Sequence, residues 1–281
     1  MYHAERGCTT YILAFPIFLY YNPITMKSSS IKQKKKYKAL IVDVDGTLVP
    51  NKRDGMPSKK VTDAIAKASK ILHVGVATSR PYFILSHIFD HLNLSGPSII
   101  VGGAQIIDTF SKKIIFEQQL LTQDVMEISK LAETLSIPIH IPGNTKEEIL
   151  SKKNIHQKTT QLWIQGFKLK EADNFINELS PISTISVHKM PSWKNGKIDV
   201  SITHASATKQ HAIVHIAKLL NIETHDIIGV GDGYNDFPLL MACGLKIAMG
   251  NAVNDLKAIA DYVAPPVEED GVADVIEKFI L

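Results

Sequence analysis

Two acidic clusters, far apart in the chain, carry the residue types that could do chemistry. The first is Leu40–Leu48, read Leu-Ile-Val-Asp-Val-Asp-Gly-Thr-Leu. A short apolar run rich in β-branched residues reads as a buried strand. In an extended segment residues i and i+2 project to one side, so Asp43 and Asp45 should leave the strand together. Two carboxylates side by side repel unless something cationic separates them, and a hard divalent cation suits oxygen ligands. Gly46, without a Cβ, lets a ligand approach the backbone. The amides there and at Thr47 can point at an anion. The expected chemistry is a metal and a phosphate held together. An EF-hand does not fit, because its loop glycine stands at position 6 and here it is the fourth residue from Asp43. A dinucleotide fold does not fit either, since no Gly-x-Gly-x-x-Gly follows the strand. A strand ending in acidic turn residues with no chemistry is the bland alternative.

The second cluster, Gly231-Asp-Gly-Tyr-Asn-Asp, is what weighs against that alternative. The spacing Gly229-x-Gly231-x-Gly233 suggests a nucleotide loop. However, Asp232 and Asp236 would then stand where a pyrophosphate belongs, which is electrostatically wrong without a metal. As a metal site the same residues are consistent. Asp232 supplies a further carboxylate, Asp236 one turn on ligates or holds a metal water, and Asn235 donates a hydrogen bond without adding charge.

Elements of the right order surround both clusters. Lys59–Lys70 and Tyr82–Leu92 have helical periodicity; Leu72–Ala77 and Ser98–Val101 read as strands, and Ile106–Glu117 as a hairpin turning at Ser111-Lys112. After Leu120 the texture changes. Helices are expected at Thr122–Leu135 and Leu169–Leu179. Strands are expected at Ile137–Ile141, Gln161–Gly166, Thr184–His188 and Lys197–Ile202, with turns at Pro142-Gly143-Asn144 and Asn195-Gly196. The first pattern then returns, with helices Thr208–Asn221, Phe237–Ala242, Asn254–Ala260 and Val272–Ile280 around strands Asp226–Val230, Lys246–Met249 and Tyr262–Ala264. Strands alternating with helices predict an α/β fold, a Rossmann-like doubly wound parallel sheet, interrupted by a smaller inserted α/β cap domain. The expected boundaries are an extension over 1–36, core over 37–119, insertion over 120–203, and core again over 204–281. Ligands of such sheets bind at the carboxyl ends of the strands, where Asp43, Asp45 and Thr78 fall.

Composition agrees with an ordinary soluble protein. The chain has 281 residues, 45% hydrophobic and 21% charged, enough for one large or two modest domains. Two cysteines, Cys8 and Cys243, cannot make a disulfide framework and fit a reducing compartment, hence the cytoplasm. The net charge of +3 misleads: residues 1–38 carry seven Lys/Arg against Glu5 alone. The remainder is therefore mildly acidic, which argues against a nucleic-acid groove. Within the first 36 residues, Tyr11–Tyr21 is apolar but broken by Pro16 and too short to span a bilayer as a helix. No small-residue cleavage site follows it, so secretion is disfavoured. Translation beginning at Met26, or a disordered extension, is the preferred reading.

Asp43-Val-Asp-Gly-Thr-Leu, Ala77-Thr-Ser-Arg, Lys209 and Gly231-Asp-Gly-Tyr-Asn-Asp, in that order, resemble the four motifs of the haloacid dehalogenase superfamily. The insertion between the second and third motifs resembles the subclass with the larger α/β cap, which holds Cof-like sugar phosphatases, sucrose-phosphate phosphatases and phosphomannomutases. The tail, Ile247-Ala-Met-Gly-Asn-Ala and then Ala260-Asp-Tyr-Val-Ala-Pro, is Cof-like too. The resemblance implies Asp43 as nucleophile and Asp45 as general acid and base. It implies one Mg²⁺ on Asp43, Asp232, Asp236 and Asp45, the last through its carbonyl. Lys209, Thr78, Ser79, Asn235 and the amides of Gly46 and Thr47 would serve the phosphate.

Outside that frame the candidates weaken. Lys209 alone is an ordinary lysine at a helix start. His211 and His215 have the spacing of a metal pair but lack a glutamate after His211, so solvated or core histidines are expected. Arg80 is read as structural or rim, Cys243 as a small buried hydrophobe, and Trp163 and Trp193 as core rather than pocket. Ser79, Gly102 and Gln210 depart from the Cof-like pattern, which usually has glycine, asparagine and glycine there, and leave room for an unusual substrate. The expected function is a Mg²⁺-dependent phosphatase acting on a small phosphorylated metabolite, plausibly a sugar phosphate. A phosphomutase and a silent phosphometabolite-binding module are the alternatives.

Overall fold

The computed structural model describes residues 37–143, 145–194 and 196–281. The readings of residues 1–36, and of Asn144 and Asn195 within turns, lie outside them. In chain order the first part runs β1 (Ala39–Val42), α1 (Lys59–Ala68), β2 (His73–Val76), α2 (Tyr82–Leu92) and β3 (Pro97–Ile100). The hairpin β4 (Gln105–Asp108) and β5 (Lys113–Glu117) follows. The middle runs α3 (Thr122–Thr134), β6 (His140–Pro142), β7 (Glu147–Ile149), β8 (Leu162–Phe167), α4 (Leu169–Leu179), β9 (Ile185–Pro191) and β10 (Ile198–His204). The last part runs α5 (Lys209–Leu220), β11 (Ile227–Gly231), α6 (Phe237–Ala242), β12 (Leu245–Ala248), α7 (Asn254–Ile259), β13 (Tyr262–Val263) and α8 (Gly271–Phe279).

Five parallel strands form the first sheet, in the order β13-β12-β11-β1-β2. Its central strands β1 and β11 read Ala-Leu-Ile-Val and Ile-Ile-Gly-Val-Gly and are buried along their whole length. Strands covered by helices on both faces need that continuous apolar run. An Ala77–Ile99 bridge carries the parallel pairing on toward β3, which opens the antiparallel β3-β4-β5 sheet.

The second sheet, β7-β6-β8-β10-β9, is antiparallel and has a separate apolar core. Leu162, Ile164, Val200 and Ile202 point into that core with Val125 and Ile128 of α3 and Phe175 of α4. With a side-chain period of two, the residues between them face the other way. On that opposite face the register sets Trp163 against Ser201, Ser201 against His188, and Asp199 against Met190. One sheet thus offers strand ends, the other an alternating face.

Candidate active site

Parallel register brings the first cluster together. Val42 pairs with Val230 on one side and Val76 on the other, so Asp43, Asp232 and Thr78 all emerge just past the same edge. Lys209 arrives from α5, whose first turn rests on Gly103. That glycine has φ +109°, and a Cβ there would lie 2.3 Å from the carbonyl carbon of Thr208 and 2.8 Å from the Lys209 nitrogen. Only glycine allows both the conformation and the approach.

Lys209 is 2% exposed, and its Nζ donates to Asp43 Oδ1 at 2.6 Å and to Asp236 Oδ1 at 2.5 Å. The other oxygen of Asp236 accepts the amides of Asp232 and Gly233 at 3.0 and 2.9 Å. Asp232 accepts the Thr47 hydroxyl at 2.9 Å and lies 3.3 Å from Asn251 Nδ2. Oxygens of Asp43, Asp232 and Asp236 fall within 4.8 Å of one another. Three carboxylates face one lysine, and their acidities show the imbalance. Burial first, then Asp236, raises Asp43 well above the carboxylate range, with Lys209 opposing. Burial and Asp236 push Asp232 up to about 7. Burial opposes the charge of Lys209, yet Asp236 and Asp43 hold its pKa above that of a free lysine. Gly46 completes the cradle, since a Cβ there would sit 2.3 Å from Asp232 Oδ2. Hard oxygens, surplus negative charge and an open backbone fit a divalent cation.

Three expectations need correction. The Asp45 carboxylate does not join the cluster. β1 ends at Val42, and the chain turns before Asp45, so the two side chains do not share a strand face. Asp45 instead accepts Arg80 Nε at 2.8 Å, Arg80 Nη2 at 2.5 Å and Trp193 Nε1 at 3.1 Å. Its carboxylate is thus engaged by Arg80 and Trp193 and stands outside the group formed by Asp43, Asp232 and Asp236. The amides of Gly46 and Thr47 are not held out to an anion either. They point back within the turn, to Val49 O at 2.8 Å and Val44 O at 3.4 Å, because the same tight turn that exposes Gly46 uses its own donors. Finally, both tryptophans line the cleft that holds Asp43 and Asp45, rather than serving as core alone.

Thr78 is buried at the cleft and accepts the Arg80 amide at 3.1 Å, which leaves its own O–H to donate. Ser79 and Asn235 also line the cleft. His211 is exposed against Thr208, and the His215 ring is tilted against Phe116 with centroids 4.1 Å apart. Arg80 is buried, and beyond Asp45 it donates to the carbonyls of Arg53 and Lys52.

A family model described as haloacid dehalogenase-like hydrolase matches residues 40–192 and 143–276. The chain belongs to this family. Among relatives of this hydrolase, the Bacillus subtilis protein YxeH is 26% identical over 87% of this chain and 99% of its own. The 5-amino-6-(5-phospho-D-ribitylamino)uracil phosphatase YwtE of the same organism is 25% identical, over 86% and 98%. In three dimensions the chain resembles BT1666 of Bacteroides thetaiotaomicron, from work on phosphatases of the superfamily. The TM-score is 0.76 at 22% identity, covering 90% of this chain and 99% of that one.

Three residues of this haloacid dehalogenase-like site, Asn251, Asp199 and His188, escaped the sequence reading, and a fourth, Trp193, was read as core. Asn251 donates to the Gly46 carbonyl at 2.8 Å as well as approaching Asp232; it stands in the Met-Gly-Asn-Ala tail, but a role across 205 positions is visible only in space. Trp193 binds Asp45 and lies 5.0 Å from the Arg80 guanidinium. Asp199 lines the cleft from β10. His188, on β9, has its pKa pushed down to about 4 by burial and then by the Lys209 charge, so it is neutral near pH 7. The alternation of β9 and β10 was the only signal for the last two.

Proposed function

We propose that this hydrolase is a Mg²⁺-dependent phosphoric monoester hydrolase of small phosphorylated metabolites such as sugar phosphates, working through an aspartyl-phosphate on Asp43. One observation carries the reading: a buried carboxylate at a parallel strand end, fixed by a buried lysine, beside two more carboxylates in a cleft shared with Asp45. Asp43, Asp232 and the Asp45 carbonyl would hold the metal, with Asp236 beside them. Bound there, the cation would neutralise charge on the phosphoryl oxygens.

The protein's own groups do the rest. Lys209 fixes the Asp43 rotamer and supplies positive charge next to it. A carboxylate oxygen of Asp43 attacks phosphorus in line; the phosphorus–oxygen ester bond breaks, and Asp45 gives a proton to the departing alcohol. Asp45, now a carboxylate, takes a proton from water, which attacks the same phosphorus and releases inorganic phosphate and free Asp43. Arg80 and Trp193 hold Asp45 toward the leaving-group side for both proton transfers. Thr78 has a free O–H for a phosphoryl oxygen. Ser79 and Asn235 are assigned the same role on their place in the cleft. Residues 120–203 we read as a cap that closes the cleft and reads the leaving group. Among the described residues no helix is long and apolar enough to cross a membrane, and the buried Cys243 thiol suits a reducing compartment such as the cytoplasm.

Release of p-nitrophenol from p-nitrophenyl phosphate tests this, with Mg²⁺ or EDTA and with Asp43→Asn. Metal-dependent turnover that drops about 10⁴-fold or more in the variant is expected. Binding of phosphate esters without release would point instead to the silent module, and transfer to a second hydroxyl to a mutase.

A further inference from the structure

Arg53 belongs to none of the motifs, yet contacts from both sheets converge on it. Its carbonyl accepts Arg80 Nη1 at 2.8 Å, and the Lys52 carbonyl accepts Arg80 Nη2 at 2.8 Å. The arginine that holds Asp45 therefore also fixes this loop. The Arg53 side chain reaches across to the second sheet. Its Nη1 donates to Glu147 Oε1 at 3.1 Å, and its guanidinium lies 5.3 Å from the centre of the Trp193 ring. Glu147 is on β7 and Trp193 follows β9, the two opposite edges of that sheet. Glu147 is aimed as well: its other oxygen accepts Gln165 Nε2 at 3.2 Å and lies 3.5 Å from His140 Nδ1.

Trp193 is what this cluster delivers. The Arg53 and Arg80 guanidiniums both lie within 5.3 Å of its ring centre, where cation and ring attract. Its Nε1 meanwhile donates to Asp45 Oδ1 at 3.1 Å. That oxygen also accepts Arg80 Nη2 at 2.5 Å, whereas Oδ2 accepts Arg80 Nε alone at 2.8 Å. Two donors occupy Oδ1, so Oδ2 is the oxygen with room for a transferable proton. Without the indole the two oxygens have one donor each and the distinction is lost. The Arg53 side chain is 49% exposed, and an exposed ion pair contributes little to stability. Such a pair can instead bias a local equilibrium, where a few-fold change in population suffices to alter a rate.

We propose that Arg53 is a positioning residue: paired with Glu147, it latches the second sheet over the cleft and seats Trp193 on Asp45. Proton transfer to the leaving group is then readied by the latch. The inference rests on the phosphatase reading, because it needs Asp45 as the acid.

The leaving group separates this role from a merely structural one. An alkoxide needs a proton in order to depart, and p-nitrophenolate hardly does. On the full chain with Mg²⁺, kcat/KM is measured for p-nitrophenyl phosphate, glycerol 3-phosphate and ribose 5-phosphate. Arg53→Ala and Glu147→Gln should each lower it about fivefold for the alkyl esters and less than about twofold for p-nitrophenyl phosphate, with Arg53→Lys close to the parent. Trp193→Phe should show the same selective loss, and adding Arg53→Ala to it should cost nothing more, because the two act as a unit. A second arm needs no turnover. In Trp163→Phe, Trp193 is the sole tryptophan, and acrylamide quenching of its fluorescence should rise about twofold when Arg53→Ala is added. Salt at about 0.5 M should raise it too, but not once Arg53 is gone. Parallel slowing of all esters, additive losses, or quenching untouched by Arg53→Ala would overturn the assignment. A parent that hydrolyses no ester ends the phosphatase reading and the role on Asp45 together; turnover that Arg53→Ala leaves unchanged ends only the latter. If the parent takes p-nitrophenyl phosphate alone, the quenching arm decides.

Discussion

The cleft has two ends built on opposite terms. At the Lys209 end the bonded lysine comes from the start of α5, and the amides, Thr47 hydroxyl and Asn251 from loops that follow the strands of the parallel sheet. At the other end, Trp163 and Asp199 face the cleft from an antiparallel sheet. Chemistry common to many phosphate esters needs a rigid constellation. Selection of a leaving group needs polar atoms whose partner is the ligand. On the function proposed above, reaction belongs to the first sheet and the second sheet's cleft-facing side chains meet the leaving group.

The sharpest way to break that contrast is to remove Lys209. Its ammonium joins Asp43 and Asp236 at a site where all three side chains are 6% exposed or less. Lys209→Met leaves two buried carboxylates without their cation, which costs about 3–5 kcal/mol where a buried pair loses one partner. Urea unfolding at pH 8 in EDTA should show that loss, and turnover should vanish with it. Lys59→Met, at the exposed Lys59–Asp63 pair, should leave the midpoint in place. Equal effects at the two lysines would remove the distinction between a closed network and surface charge.

Proton linkage gives a smaller effect with a definite sign. Asp43 and Asp232 both hold protons more tightly folded than unfolded, Asp232 with a pKa of about 7. For Asp232 the folded state therefore binds more protons between the ordinary carboxylate range near pH 4 and about pH 7, and Asp43 adds to the difference in the same direction. Without metal, stability contributed by these groups is fully present below pH 4 and is lost as pH climbs through that window. A divalent cation competes for the same oxygens, so Mg²⁺ should raise Tm more at pH 8 than at pH 5. Thermal melts in Mg²⁺ and in EDTA at both values check this; an equal rise at the two would place the bound ion elsewhere.

Much of the first end was legible in the sequence, for a topological reason. Parallel strands joined through helices must finish at one edge, so Asp43, Thr78 and Asp232 are neighbours once the strands are recognised. What failed was local direction. The strand expected at the head of Leu40–Leu48, with Asp43 and Asp45 leaving its end together, stops at Val42, and the turn that follows sends Asp45 to Arg80 and uses the amides of Gly46 and Thr47. The second end was hardly legible at all. β9 and β10 alternate faces plainly, but which face meets the cleft depends on how two sheets pack. The register shift between β8 and β10 opposite Asp199 leaves no motif.

The smallest expected effect lies between the two ends, where β3 gives way to Val101-Gly102-Gly103. Gly103 admits no side chain because α5 sits against it. Gly102 has room: its nearest would-be neighbours are Thr203 Cγ2 at 3.6 Å and Ser79 Oγ at 3.9 Å. Its φ of +66° is left-handed, a conformation asparagine enters more readily than most residues. Gly102→Asn should therefore fold at a cost of about 1 kcal/mol for a non-glycine residue in the left-handed region, measured by urea unfolding. It would set an amide beside Ser79 and Thr203, at the join of the two sheets. If the first sheet reacts and the second selects, the added amide should change the ranking of phosphate esters while their common dependence on Asp43 stays. A uniform slowing of every ester, with the ranking intact, would mean that selection does not reach this join and is confined to the second sheet's own face.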